Sequence, residues 1–243
     1  MKTYLKSVFV IILTIALACS QKEQAGEKKQ KTPIVSGDWT QSFDIEKRDF
    51  ATSGENLYFN LQPGYQLILE GNEDSQHVKL IISVLWETQK IGNVETRIVE
   101  ERELVDGNLI EVSRNFFAID RNSLDVFYFG EEVDIYKNGS IVGHGGAWRA
   151  DESGNRAGMM MPGKIEIGAR YYQEIAPGVA MDRAEIVNQQ MILETPSGTF
   201  ENCLKIEETT PLEPDAKEYK IYAPEIGLIK DGSLLLTEYG FKK

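Results

Sequence analysis

The sequence predicts an all-β domain: a single antiparallel meander forming a strongly curved sheet or open barrel, with few or no helices outside the N-terminal leader. Three observations predict it. Val78, Leu80, Ile82, Val84 and Trp86 alternate with His77, Lys79, Ser83 and Glu87, which is the period-two pattern of a half-buried strand. Turn signals punctuate the chain at Gly92-Asn93, Asp106-Gly107-Asn108, Arg121-Asn122-Ser123, Asn138-Gly139, Pro196-Ser197-Gly198 and Asp231-Gly232. Asn-Gly and Asp-Gly supply the positive φ that tight hairpins demand. Beyond the leader, no long stretch carries helical periodicity.

Taken in order, residues 1–18 read as an export signal. Lys2 and Lys6 give a positive start, and Val8 to Ala18 form an apolar run interrupted only by Thr14. Spanning a bilayer takes about 20 apolar residues, so this run reads as a signal's h-region. Residues 19–36 follow as a tether. From Gln21 to Ser36 the chain is rich in Lys, Gln and Glu and too polar to bury a core. Residues 37–243 then form the β-rich domain. The charged segment Glu95–Val105 is expected to be an exposed strand, with Leu109–Asp120 as its hairpin partner. Two stretches, Ala150–Gly163 and Thr209–Lys217, break the alternation and are expected to be loops.

Composition narrows the function classes. Residues 1–36 hold six Lys and two Glu, a net of +4, and the whole chain carries −12, so residues 37–243 carry −16. Such a surface repels phosphate backbones, which argues against nucleic acid as a partner. It also repels anionic headgroups, so an anchor rather than the domain face must hold the protein at a membrane. There are two cysteines, Cys19 and Cys203. Cys203 lies in a strand-like run with no neighbouring His or Lys to activate it, the setting of a structural thiol.

The small residue Ala18 followed by Cys19 resembles the lipobox of bacterial lipoproteins. That resemblance implies cleavage before Cys19 and its lipidation with palmitate-type acyl chains. Ser20 is not the Asp that retains some lipoproteins at the inner membrane, so the resemblance implies a cell-envelope location at the outer membrane. The domain resembles a family of uncharacterised exported bacterial β-rich proteins. The blocks that carry the likeness are Asn56-Leu-Tyr-Phe-Asn-Leu-Gln-Pro-Gly64, Glu132–Lys137, Gly168–Arg183, Thr195–Leu204 and Tyr222–Lys230. Asn60 stands where the family usually has Pro, and Glu225 where Gly normally follows Pro224. The family carries no assigned activity, so the resemblance implies a β-rich exported module and no mechanism.

Chemical motifs are sparse. The two histidines, His77 and His144, lack the spacing of a zinc protease helix. There is no G-x-S-x-G nucleophile elbow, so His144-Gly145-Gly146 reads as a bend after a hairpin. Asp151–Asn155 clusters oxygens without the ligand alternation of an EF-hand, and no metal or cofactor is assigned. Met159, Met160 and Met161 suit a plug at the open end of the sheet better than a Cu(I) site. Together with Trp148, Arg149, Tyr171, Tyr172 and Arg183 they are the candidate lip of a ligand-binding mouth. The expected function is a non-catalytic binding module for a small apolar ligand or an envelope protein. The alternatives are a hydrolase of envelope glycans or esters using dispersed carboxylates, and a purely structural lipoprotein. Adjacent strand carboxylates such as Glu100-Glu101 and Glu207-Glu208 point to opposite faces, so a two-carboxylate site must come from the fold.

Overall fold

The computed structural model describes residues 38–242; the leader, Cys19 and the tether lie outside the described residues. After a single 3-10 turn at Ile45–Lys47, three short pieces lead into the sheet: β1 (Phe50–Ala51), β2 (Glu55–Asn56) and β3 (Phe59–Asn60). The long strands β4 (Tyr65–Glu73), β5 (Gln76–Ile91), β6 (Val94–Val105), β7 (Asn108–Asp120) and β8 (Val126–Lys137) follow. A run of shorter strands comes next: β9 (Ser140–Gly143), β10 (Trp148–Arg149), β11 (Arg156–Met161), β12 (Arg170–Tyr172) and β13 (Glu174–Ile175). The chain ends in β14 (Arg183–Thr195), β15 (Gly198–Thr210), β16 (Glu213–Ala223), β17 (Gly227–Asp231) and β18 (Leu234–Phe241).

All of these except β2 and β3 belong to one sheet, whose main path is β12-β14-β15-β16-β17-β18-β4-β5-β6-β7-β8-β11-β13, with β1 paired to β7 and β9 and β10 paired to β8 off that path. Every ladder between named strands is antiparallel. The two ends of the path, β12 and β13, are separated by one residue, Gln173. The sheet therefore curls into a nearly closed barrel whose seam is crossed by the chain itself rather than by a ladder. Curling removes most of the exposed edge that an open sheet would present.

The hairpins follow the turn chemistry. Asp106 and Gly107 sit at φ 49° and 79°, and Asn138 and Gly139 at 54° and 76°, the paired positive values of a type I′ turn. The interior is filled in rows set by register. Leu69 pairs with Leu80, and Val84 with Val99. Outside the barrel, Phe127 and Phe129 alternate with inward Tyr128 and are covered by the N-terminal segment. Phe43 packs edge-on to Phe127 at 5.7 Å, and Phe50 to Phe129 at 5.3 Å. Arg48 pins that segment, pairing with Asp120 at 3.2 Å and Asp125 at 2.9 Å.

Four expectations are corrected. Trp86 does not continue the buried face begun at Val78; it is 76% exposed. The ladder shifts register between Val84 and Thr88, and buried Arg97 donates hydrogen bonds to the carbonyls of Leu85, Trp86 and Glu87. That bulge takes Trp86 out of phase with the core. The stretch Ala150–Gly163 is only partly loop, because Arg156–Met161 forms β11 against β8. Thr209–Lys217 is a hairpin turning at Pro211-Leu212, with Pro214 accommodated in β16. The charged β6 is not an outer strand: its Glu101 and Glu103 face the interior, as their rows require.

Candidate functional site in the barrel interior

Register decides which carboxylates point inward. In an antiparallel ladder, directly paired residues share a face. Leu67, Ile82, Glu101, Ser113 and Val133 form one such row across β4 to β8; Leu69, Leu80, Glu103, Glu111 and Ile135 form the next. Because Leu69 and Leu80 are core residues, Glu101, Glu103 and Glu111 are interior groups as well. On the opposite wall, Ile186, Ile206, Lys220 and Asp231 make a row, and Ala184, Glu208 and Glu218 make another. Two of these pairings, Glu103 with Glu111 and Glu208 with Glu218, set carboxyls directly opposite each other. Like charges in that relation repel.

Lys220 is the cation at the centre of the group, 3.2 Å from a Glu208 oxygen and 3.6 Å from an Asp231 oxygen. Burial alone would lower its pKa, but Asp231 and Glu208 outweigh that cost and hold it above the usual lysine value. The surplus carboxyls respond in the opposite direction. Burial pushes Glu101 up to about 7, with Lys220 pulling back only in part. Glu103 rises to about 7 through burial and the neighbouring Glu73 and Asp231. Glu218 rises to about 7 for the same kind of reason, burial first and Asp231 second. An ion that leaves water without full compensation avoids the cost by taking up a proton.

A cleft partly open to solvent lies over this group. Its apolar walls include Phe59, Tyr65, Leu67, Val84, Phe117 and Leu228, and its polar floor is Glu101, Lys220 and Asp231. The walls come from distant parts of the chain. Phe59 belongs to the small β2–β3 ribbon laid across the barrel, where the Asn56 side chain accepts from the Tyr58 amide and donates to the carbonyls of Leu124 and Pro162. Asn60 then closes a turn by accepting from the Gln62 amide at 2.8 Å.

The seam has its own polar set. Gln173 donates to Glu208 at 2.8 Å and touches the Met160 sulfur at 3.5 Å. Glu174 is raised well above the usual carboxyl value by burial, Asp182 and Glu131. Asp182 is itself pushed up to about 6 by burial and Glu208, an effect that the Thr210 and Glu174 hydrogen bonds oppose. A smaller hollow borders Asp182, Glu208 and Glu218.

The candidate lip residues do not assemble into one mouth. Met160 alone among them lines the apolar cleft. Met161 is fully buried in β11, and Met159 and Tyr171 border a shallow outer groove beside residues 38–48. Trp148 is buried, pairing with Glu131 and meeting Tyr128 edge-on at 5.3 Å. Arg149 is engaged with Asp151 at 3.1 Å, and the Asp151 carboxylate also accepts from the Gly92 amide, so that loop's oxygens are already taken by protein donors. Tyr172 packs edge-on to Trp39, and the Arg183 guanidinium lies 4.4 Å from the same Trp39 ring. Cys203 is buried with its thiol toward the Phe200 carbonyl at 3.4 Å. Among the described residues, no group of three or more His, Cys, Asp or Glu is arranged to hold a metal ion.

The interior carboxylates were missed for a definable reason. Val99, Glu101, Glu103 and Val105 share one parity along β6, and the valines at both ends mark that face as the buried one. High charge in the middle of the strand masked the signal. Comparisons with family models, curated proteins and solved structures return no match.

Proposed function

We propose that this protein is a lipid-anchored envelope module that binds a small, largely apolar molecule inside its barrel. The observation that carries the reading is the lining of the cleft, apolar along most of its walls and polar at Glu101, Lys220 and Asp231, which is the character of small-molecule sites. A purely structural lipoprotein gains nothing from leaving such a space next to partly uncompensated carboxyls. The anchor is Cys19, acylated after signal cleavage and followed by a tether that presents an acidic domain away from headgroups at the outer membrane.

Two measurements test the two halves of this reading. Native mass spectrometry of the protein after gentle extraction is expected to give a bound apolar species in addition to the apoprotein mass. Persistent absence of any adduct, even after incubation with lipid extract, would sink the binding role. Metabolic labelling with an alkyne palmitate analogue is expected to tag the wild type and not Cys19→Ala; an unlabelled wild type removes the anchor.

A hydrolase is the second reading, and one observation favours it: Glu174 and Asp182 are neighbouring buried carboxyls that both hold their protons above the ordinary range, as in acid–base carboxyl pairs. Neither residue borders the apolar cleft, which weighs toward binding as the principal role.

A further inference from the structure

The charge balance at the cleft floor specifies its occupant more closely. Lys220 is committed to Glu208 and Asp231, so the one ammonium in that group already faces two carboxylates. Glu101 lines the cleft, and among the described residues it has no hydrogen bond or close ion pair, only the partial pull of Lys220; its row neighbours are Ile82 and Ser113. Glu103, one row deeper, sits opposite Glu111. An incoming carboxylate or phosphate would add to this surplus, and a neutral headgroup would leave it as it stands. A protonated nitrogen would give Glu101 the charge-assisted partner that it lacks, in a low-dielectric setting where such a contact is strong. The walls, which include Phe59, Tyr65, Leu67 and Phe117, offer mainly apolar contact to the rest of the molecule.

From Glu101 in the cleft, beside a Lys220 that already faces Glu208 and Asp231, we infer that the ligand is an amphiphilic amine, its ammonium on Glu101 and its apolar body along the aromatic and aliphatic walls. This rests on the binding role proposed above and narrows it to a ligand class.

The test titrates octylamine, octanol and octanoate at neutral pH into the full-length lipoprotein in phosphatidylcholine nanodiscs, with empty discs as the reference. Octylamine is expected to bind at least about tenfold tighter than octanol, and octanoate to bind weakest; tenfold corresponds to about 1.4 kcal/mol. Glu101→Gln, which keeps the side chain's shape, is expected to bring octylamine down to the octanol value. Equal binding of amine and alcohol overturns the inference, as does octanoate binding tightest, and either result leaves the apolar-ligand reading intact. An amine preference that survives Glu101→Gln overturns the assignment to Glu101. If all three probes fail to bind the wild type, the proposed function falls along with the inference. The wild-type ranking is decisive even if the variant folds poorly.

Discussion

The wall formed by β4 to β8 and the seam crossed by residues 170–175 close the same barrel by opposite means. In the wall, each strand pairs with its neighbour in sequence through a short turn, and the ladders run eight residue pairs or more. At the seam, three residues of β12 hold β14 and two of β13 hold β11, with no ladder joining β12 to β13. The wall is secured by many local contacts. The seam depends on a few close approaches of backbone to backbone. A Cβ on Gly158 would lie 2.3 Å from the Gln173 carbonyl oxygen, nearer than real contacts allow. Local repetition makes the wall tolerant, and sparse pairing makes the seam sensitive to one methyl group.

Gly158→Ala is the sharpest way to expose that contrast. It is expected to cost about 3 kcal/mol or more, because the obstacle is main chain and has little freedom to move aside. Glu87→Ala, on the exposed part of the wall, is expected to stay within about 0.5 kcal/mol of wild type. Urea denaturation followed by tryptophan fluorescence measures both. Equal midpoints for the two variants would mean that the seam carries no special burden.

The next effect comes from pH and separates the wall's carboxyls from the rest. Glu101 and Glu103 have folded values of about 7 against an ordinary carboxyl value of 4.5. Below about pH 4.5 they are protonated in both states and cost nothing. As pH rises from there toward 7 the unfolded chain releases their protons while the folded barrel retains them, so stability falls across that window and the loss levels off above it. Glu103→Gln removes one such group. It is expected to leave stability at pH 4.5 nearly unchanged and to raise it at pH 8 by about 1–3 kcal/mol, as a shift of this size implies. Thermal unfolding at the two pH values reads the difference. A variant equally destabilised at both would show that Glu103 acts through packing instead.

The smallest effect lies outside both regions, at the turn between β16 and β17. The Ile226 amide bonds back to the Ala223 carbonyl, with Pro224 and Glu225 between them, and Glu225 sits at φ 66°. That is the position where a type II turn favours Gly. Glu225→Gly should stabilise the domain by up to about 1 kcal/mol, since relief of the left-handed strain exceeds the added chain entropy. A lower melting temperature would show that the Glu225 side chain does something the turn geometry does not require.

Much of the wall was legible in advance. The alternation from Val78 to Val84 and the turns at Asp106-Gly107 and Asn138-Gly139 locate strands and hairpins, because period-two burial and positive φ are local properties. The candidate site was far less legible. The phase of Trp86 depends on Arg97 reaching the Leu85–Glu87 carbonyls from the next strand. The interior placement of Glu101 depends on which face the barrel closes around. The aromatic lip read from Trp148 to Arg183 dispersed, because neighbours in sequence on short strands turn to different sides.

By itself the sequence determined an antiparallel β domain, its hairpin turns, an acidic surface and an expectation of export and anchoring at Cys19. Tertiary structure alone decided that the sheet closes through residues 170–175. It also brought Glu101 and Glu103 from one wall within electrostatic reach of Lys220 and Asp231 from the other. The physical reason is range. Turn chemistry and alternation are set by a few adjacent residues, whereas the charge balance of an enclosed space depends on which distant strands face one another across it.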